Sequence, residues 1–161
     1  AARNTGFAAS ETEFVFVLDA DNALYPRCLS RCAEVVGAGG AFAFPIIEVF
    51  GSRAGLIGTE PWDPERLKQG NYIDAMALIR RTAWLEAGGY DPMGGLGWED
   101  YDLWCRFAEL GLRGVHVAEI LARYRVHDSS MLRKVTNVDN GKRVRREIQQ
   151  RHPWLEIGLD L

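Results

Sequence analysis

Apolar residues in this chain fall into two alternating patterns, short continuous runs and helical spacing. Phe14-Val15-Phe16-Val17-Leu18 is a continuous run of β-formers, the pattern of a strand covered on both faces. It stops abruptly at Asp19-Ala20-Asp21-Asn22. Pro26 suits the first turn of a helix that runs to about Val36 and ends at Gly37. Residues 41–50 read as a second strand, in which Pro45 marks an edge position or a bulge. Residues 51–62 read as a glycine-rich loop. Asp63-Pro64-Glu65 then supplies an N-cap, a first-turn proline and a first-turn acid for a short helix ending at Gly70. Ala75–Arg80 reads as a short strand, followed by a helix over Ala83–Ala87 that Thr82 can cap and Gly88-Gly89 stops. Leu103, Trp104, Phe107 and Leu110 recur at helical spacing, so a helix is expected from about Glu99 to Gly111. Val115–Ala118 is a strand that Ile120–His127 continues or follows. Residues 1–10 read as the end of a helix, 128–136 as a polar loop, and 138–151 as a basic helix ending before Pro153.

This alternation predicts an α/β fold with a mixed, mostly parallel central sheet flanked by helices. The 161 residues suffice for one domain with a proper core, and 47% hydrophobic with 25% charged residues is a globular balance. No stretch matches a membrane span or a signal peptide. A net charge of −3 gives no reason to expect a nucleic-acid partner. Cys28 and Cys32 lie one helical turn apart and Cys105 on another helix, without zinc or CxxC spacing. They read as reduced, buried small residues, which fits a cytoplasmic setting. The chain opens at Ala1-Ala2-Arg3-Asn4-Thr5-Gly6 and reads as cut from something longer.

Four features carry candidate chemistry. Asp19-Ala20-Asp21 sits at the carboxyl end of the first strand, outside which open α/β sheets bind ligands. Carboxylates at i and i+2 of an extended segment point the same way and suit Mg²⁺ or Mn²⁺; the alternative is a polar strand-end turn. His127 ends a strand and enters a polar loop, as a structural side chain or as a nitrogen ligand that tilts the set toward Mn²⁺. Gly94-Gly95-Leu96-Gly97-Trp98-Glu99-Asp100 joins a glycine-rich loop, an aromatic and two acids at a helix start. The acids either cap the helix or include a base, and Trp98 either packs in the core or offers its face to a sugar ring. The helix start would favour the ionised acid. Between Arg133 and Arg151 stand seven basic residues against two acids, with a thin apolar stripe of Val138, Val144 and Ile148. That is a solvated helix, a contact for a diphosphate through Arg133 and Lys134, or a contact for an anionic membrane.

Together these segments resemble the family 2 glycosyltransferases of the GT-A fold. The resemblance runs from Arg3-Asn4-Thr5-Gly6 through the strand into DxD, the Arg80-Arg81…Gly88-Gly89-Tyr90-Asp91 segment and Gly97-Trp98-Glu99-Asp100-Tyr101-Asp102-Leu103-Trp104, to His127-x-Ser129-Ser130. It implies an inverting, metal-dependent transfer of a sugar from a nucleoside-diphosphate sugar to a hydroxyl of a glycan or lipid-linked acceptor. Asp100 would be the base, and Glu99 and Trp98 would orient the acceptor. Arg3, Asn4, Asp19, Asp21 and Asp74 would line the donor side. Asp21, Asp19 (through metal-bound water or the ribose) and His127 would hold Mn²⁺ or Mg²⁺. Residues 1–136 would form the metal, diphosphate and acceptor side of the transferase domain, and 137–161 a basic helix and tail. The family's leading strand and its acid-ended second strand are not in this sequence, so exposed strand edges and self-association are expected. A carbohydrate-binding or assembly module on the same fold is the alternative. Nucleotidyl transfer is disfavoured because the glycine loop has no Lys.

Overall fold

The computed structural model describes residues 2–37, 39–95, 97–127 and 138–158. In chain order the elements are α1 (Ala2–Ala9), β1 (Phe14–Phe16), β2 (Ala23–Leu24), α2 (Cys28–Val36), β3 (Phe42–Gly51), β4 (Gly55–Ile57), α3 (Pro64–Leu67), β5 (Leu78–Arg80), α4 (Arg81–Glu86), a 3₁₀ turn (Met93–Gly95), α5 (Glu99–Glu109), β6 (Gly114–Val126) and α6 (Val138–Arg151). The polar loop expected over 128–136, with Arg133 and Lys134, lies outside the described residues.

One sheet in the order β1-β5-β3-β6-β2, with β4 paired to β3, forms the middle layer. It is mixed, as expected, and its longest pairing is parallel, although the shorter pairings are antiparallel. Among the described strands the parallel pair is β3 with β6. A short connection explains the β4 case: β3 turns directly into β4 through residues 52–54, and such a link permits only an antiparallel neighbour. The segment read as a plain loop over 51–62 therefore contains a strand. β1 is shorter than its apolar run and lies at an edge, with Phe14, Val15 and Phe16 half-buried, not covered on both faces. Pro45 lies in a central strand, paired with Val117, and an irregularity follows it: the β3–β6 register shifts on both sides of Ile46, where β6 carries extra residues before Ile120 and before Ala122.

α5 is the helix that fixes the core. Tyr101, Leu103, Trp104 and Phe107 are fully buried along it. Trp104 stacks on Phe42 of β3 with ring centroids 4.5 Å apart, and its indole N–H donates to Ile73 O at 3.0 Å. Tyr101 O–H donates to Leu67 O, tying α3 to α5. Removing a buried indole of this kind costs about 3–5 kcal/mol. α4 begins at Arg81, two residues earlier than expected, and Thr82 does not cap it. The basic helix is not simply solvated: Val144 and Ile148 are buried, and Ile148, Leu155 and Ile157 belong to the same core as Trp104. The three cysteines are buried free thiols.

Candidate active site

α1 delivers two adjacent polar side chains to one place. Asn4 Nδ2 donates to Tyr90 O at 2.7 Å, and Tyr90 N–H donates back to Asn4 Oδ1 at 2.8 Å. Gly89 makes room for this. Its φ is +74°, and a Cβ there would lie 2.8 Å from the Trp84 ring and 3.3 Å from Asn4 Oδ1. Asn4 thus fastens α1 to the turn before the glycine-rich stretch. Arg3 then reaches two acids distant in sequence, Asp19 Oδ1 at 3.3 Å and Glu99 Oε1 at 3.1 Å, with its guanidinium 5.6 Å from the Tyr90 ring centre. Burial opposes the charge on Arg3, and Asp19 and Glu99 more than restore it. Of the residues singled out from the sequence, the Arg3 guanidinium gathers Asp19 and Glu99, while its neighbour Asn4 holds the Tyr90 turn.

Asp100 sits in the first turn of α5. Its Oδ1 accepts from Tyr101 N–H at 2.9 Å and its Oδ2 from Asn71 Nδ2 at 3.0 Å. Burial pushes its carboxyl up to about 6, against the lowering effect of the Tyr101 N–H, Arg3 and Asn71. Desolvation thus outweighs the helix start in setting its basicity, while the carboxyl stays largely ionised at neutral pH. Asp74 responds likewise, pushed up to about 7 by burial and then by the charge of Asp100, while its Oδ1 accepts from Met76 N–H at 2.9 Å. Neither Glu99 nor Asp100 is the N-cap. That position is Trp98, in a left-handed conformation (φ 68°, ψ 14°) that a bulky side chain rarely adopts. The Trp98 ring is half-buried, edge-to-face with Tyr101 at 5.7 Å.

Asp21 and His127 meet. His127 Nε2 lies 3.0 Å from Asp21 Oδ2, and the contact holds the Asp21 carboxyl below its ordinary value. The two side chains are 47% and 49% exposed. One oxygen and one nitrogen donor on an open rim fit Mg²⁺ or Mn²⁺, which accept phosphate oxygens and water at their remaining positions. Asp19 does not join them as a direct third ligand. Its partner is Arg3, and no three His, Cys, Asp or Glu side chains converge on one point among the described residues. Arg125 Nε and N–H bond Asp21 O at 3.3 Å and Asn22 Oδ1 at 2.9 Å, which pins the DxD turn to β6.

Two groups escaped the sequence reading. Asn71 holds Asp100; its signal was an Asx turn, with Asn71 Oδ1 accepting from Ile73 N–H at 3.2 Å. His152 is buried between Asp102 and Glu109, and its only sequence signal was its place at the foot of a basic helix.

The family model for glycosyl transferase family 2 matches residues 1–84 of this chain. The chain belongs to glycosyltransferase family 2. Over 125 residues it is 28% identical to the O-antigen biosynthesis protein RfbC of Myxococcus xanthus, covering 74% of this chain and 10% of that protein. The fold is that of Staphylococcus aureus TarS residues 1–349. The complex with UDP-GlcNAc superposes with a TM-score of 0.70 at 13% identity, over 92% of this chain and 45% of TarS. The UDP complex gives 0.66 at 15% identity, over 92% and 43%. This family 2 chain therefore spans less than half of each of these relatives, and the GT-A class expected of it holds.

Proposed function

We propose that this chain carries the catalytic and acceptor-side part of an inverting, metal-dependent glycosyltransferase that moves a sugar from a nucleoside-diphosphate sugar to a hydroxyl acceptor. The observation that carries the reading is the Arg3 bridge, which brings the DxD acid Asp19 and Glu99, the neighbour of Asp100, to one side chain. Asp100 takes the proton of the attacking hydroxyl. A carboxyl held near 6 is largely ionised at neutral pH and more basic than a free aspartate, as general-base work requires. Glu99 stays on Arg3, which leaves Asp100 Oδ2 and its Asn71 partner facing the acceptor side. Trp98 presents its half-exposed ring to the CH face of the acceptor sugar. Asp74 and Asp19 accept from donor hydroxyls, and Asn4 acts on the donor side by holding the Tyr90 turn.

Asp21 and His127 would hold the divalent ion, which supplies Lewis acidity to the departing diphosphate. Inversion follows from a single displacement by the hydroxyl that Asp100 deprotonates. The donor class has support from TarS, which binds UDP-GlcNAc and UDP. The acceptor class, a polysaccharide or a lipid-linked glycan, has support from the O-antigen role of the Myxococcus relative. Among the described residues no helix is long and apolar enough to cross a membrane. Contact of α6 with a cytoplasmic membrane face would be electrostatic, through Lys142, Arg143 and Arg146, because Val144 and Ile148 are used in the core. Among the described strands β1 lies at an edge of the sheet, and a second copy would pair there.

The test is calorimetry and product release on the intact protein with Mn²⁺ and a panel of uridine- and guanosine-diphosphate sugars. Mn²⁺-dependent donor binding and acceptor-stimulated release of nucleoside diphosphate are expected. Oligosaccharide binding with no metal or nucleotide dependence would favour the carbohydrate-binding module. Pyrophosphate released from a nucleoside triphosphate would favour nucleotidyl transfer.

A further inference from the structure

The C-terminal end of α6 reaches both ends of the glycine-rich stretch. Arg151 Nη1 lies 3.0 Å from Asp91 Oδ2, before the stretch, and 3.5 Å from Asp102 Oδ1, after it. Asp91 is itself braced, its Oδ1 accepting from Met93 N–H at 3.0 Å. Asp102 is 1% exposed, and both its oxygens are engaged. Oδ2 accepts from Arg106 Nε and Nη2 at 2.9 and 2.6 Å, and Oδ1 faces His152 Nε2 at 3.2 Å as well as Arg151. Arg106 also donates to Ala87 O, which extends the network to the end of α4. The second nitrogen of His152, Nδ1, lies 2.7 Å from Glu109 Oε1, which also accepts from Trp154 Nε1 at 2.6 Å.

We propose that Arg151 and His152 are positioning residues that clamp the two stems of the glycine-rich stretch and so fix the direction in which Asp100 points. A buried carboxylate with several charged donors does not rotate freely. Asp102 follows Asp100 by two residues on the first turn of α5, so holding Asp102 fixes the backbone turn that carries Asp100. Neither clamp residue reaches the reacting atoms. The inference rests on Asp100 being the base.

The clamp has a protonation state. His152 is faced by Asp102 and Glu109 from α5, with Arg106 and Arg151 sharing Asp102 and Arg151 also pairing with Glu147 at 3.1 Å. Its two ring nitrogens both face carboxylate oxygens. The imidazolium donates to both, whereas the neutral ring donates to one and turns a lone pair on the other. Burial opposes the charge, but the bonds to Asp102 and Glu109 prevail, so the group sits above the ordinary histidine value. Raised in the folded state, it contributes stability that is complete below about 6.5 and lost as pH rises through its folded value. The clamp is then tight in acid and loosens in alkali.

The experiment uses the intact protein and its Arg151→Ala, Arg151→Lys, His152→Gln and Asp100→Asn variants. We expect kcat to fall about tenfold in Arg151→Ala and His152→Gln, with the donor KM held within about twofold, as small misplacement of a reacting group would give. Arg151→Lys should recover most of that loss, and His152→Gln should lose the alkaline limb of the kcat profile. Amide exchange at Gly94 and Gly97 should quicken about tenfold in Arg151→Ala. Unchanged kcat with unchanged exchange at these glycines would overturn the clamp. So would a loss in Arg151→Ala that Lys does not recover and that tracks global melting. Turnover retained in Asp100→Asn would instead overturn the base, while the exchange readout would still decide the clamp.

Discussion

Asp100→Asn is expected to make the chain more stable while removing its chemistry. The carboxyl is held at about 6 against an ordinary 3.8 because ionising it in the site is costly. Two pH units correspond to about 3 kcal/mol. The sign follows from proton binding. The folded chain holds this proton more tightly than the unfolded chain does, so stability falls as pH rises from about 4 through about 6, and the full penalty stands above that. Asparagine carries no charge and escapes the penalty, and its Oδ1 can still accept from Tyr101 N–H. Its Nδ2 meets the Asn71 amide, where a hydrogen bond worth about 1 kcal/mol is lost. The net gain is about 2 kcal/mol at pH 8 and near zero at about pH 4.5, where most of the penalty is absent. Relief of Asp74, which the charge of Asp100 also pushes up, adds to the same side. For a domain of this size about 2 kcal/mol raises Tm by roughly 4–8 °C. Urea unfolding of both proteins at the two pH values reads it directly. A variant less stable than the parent at pH 8, or a difference that does not change with pH, would refute the electrostatic picture of the site.

Other substitutions separate structure from chemistry. Asn4→Ala strips two hydrogen bonds from the Tyr90 backbone and should cost about 2–3 kcal/mol by urea unfolding; a cost near zero would mean that α1 is not fastened there. Trp98→Gly relieves a left-handed φ but strips a half-buried ring from Tyr101, so it should lower stability while raising the acceptor KM; an acceptor KM unchanged from the parent would remove the ring from the acceptor side. His127→Ala should weaken Mn²⁺ binding, followed by calorimetry, about tenfold or more and leave the unfolding midpoint nearly unchanged, since both partners lie on an open rim. Equal Mn²⁺ affinity in variant and parent would remove His127 from the metal site.

Much of this was legible in the sequence because periodicity and punctuation agree where packing is strong. The ends of α2 and α5 follow from a glycine after each, and an irregularity near Pro45 was expected, whereas whether Val115–His127 holds one strand or two was left open until β6 appeared as one. Strand direction was not legible. An apolar run looks the same in parallel and antiparallel pairings, and the tight link that makes β4 antiparallel to β3 is visible only once β4 is placed. Several candidate residues were legible as spatial neighbours: Asp21 meets His127, and Arg3 meets Asp19 and Glu99. Their division of labour was less so. Asp19 goes to Arg3 because a guanidinium lies within reach, and Asn4 is spent on the Tyr90 backbone. The ionisation of Asp100 depends on burial, which no local pattern reports. The tail misled for the same reason. Val144 and Ile148 look sparse along a basic helix, yet a two-residue stripe is enough when a core cluster waits opposite.

The central claim, that Asp100 is the base of a sugar transfer assembled around Arg3, is tested most directly by comparing transfer and donor binding in Asp100→Asn of the intact protein. Turnover with Mn²⁺ and a nucleoside-diphosphate sugar at pH 8 should fall by about 10³-fold, within the range that a lost general base removes, while the donor Kd stays within about twofold. Turnover within tenfold of the parent at unchanged donor affinity would contradict it.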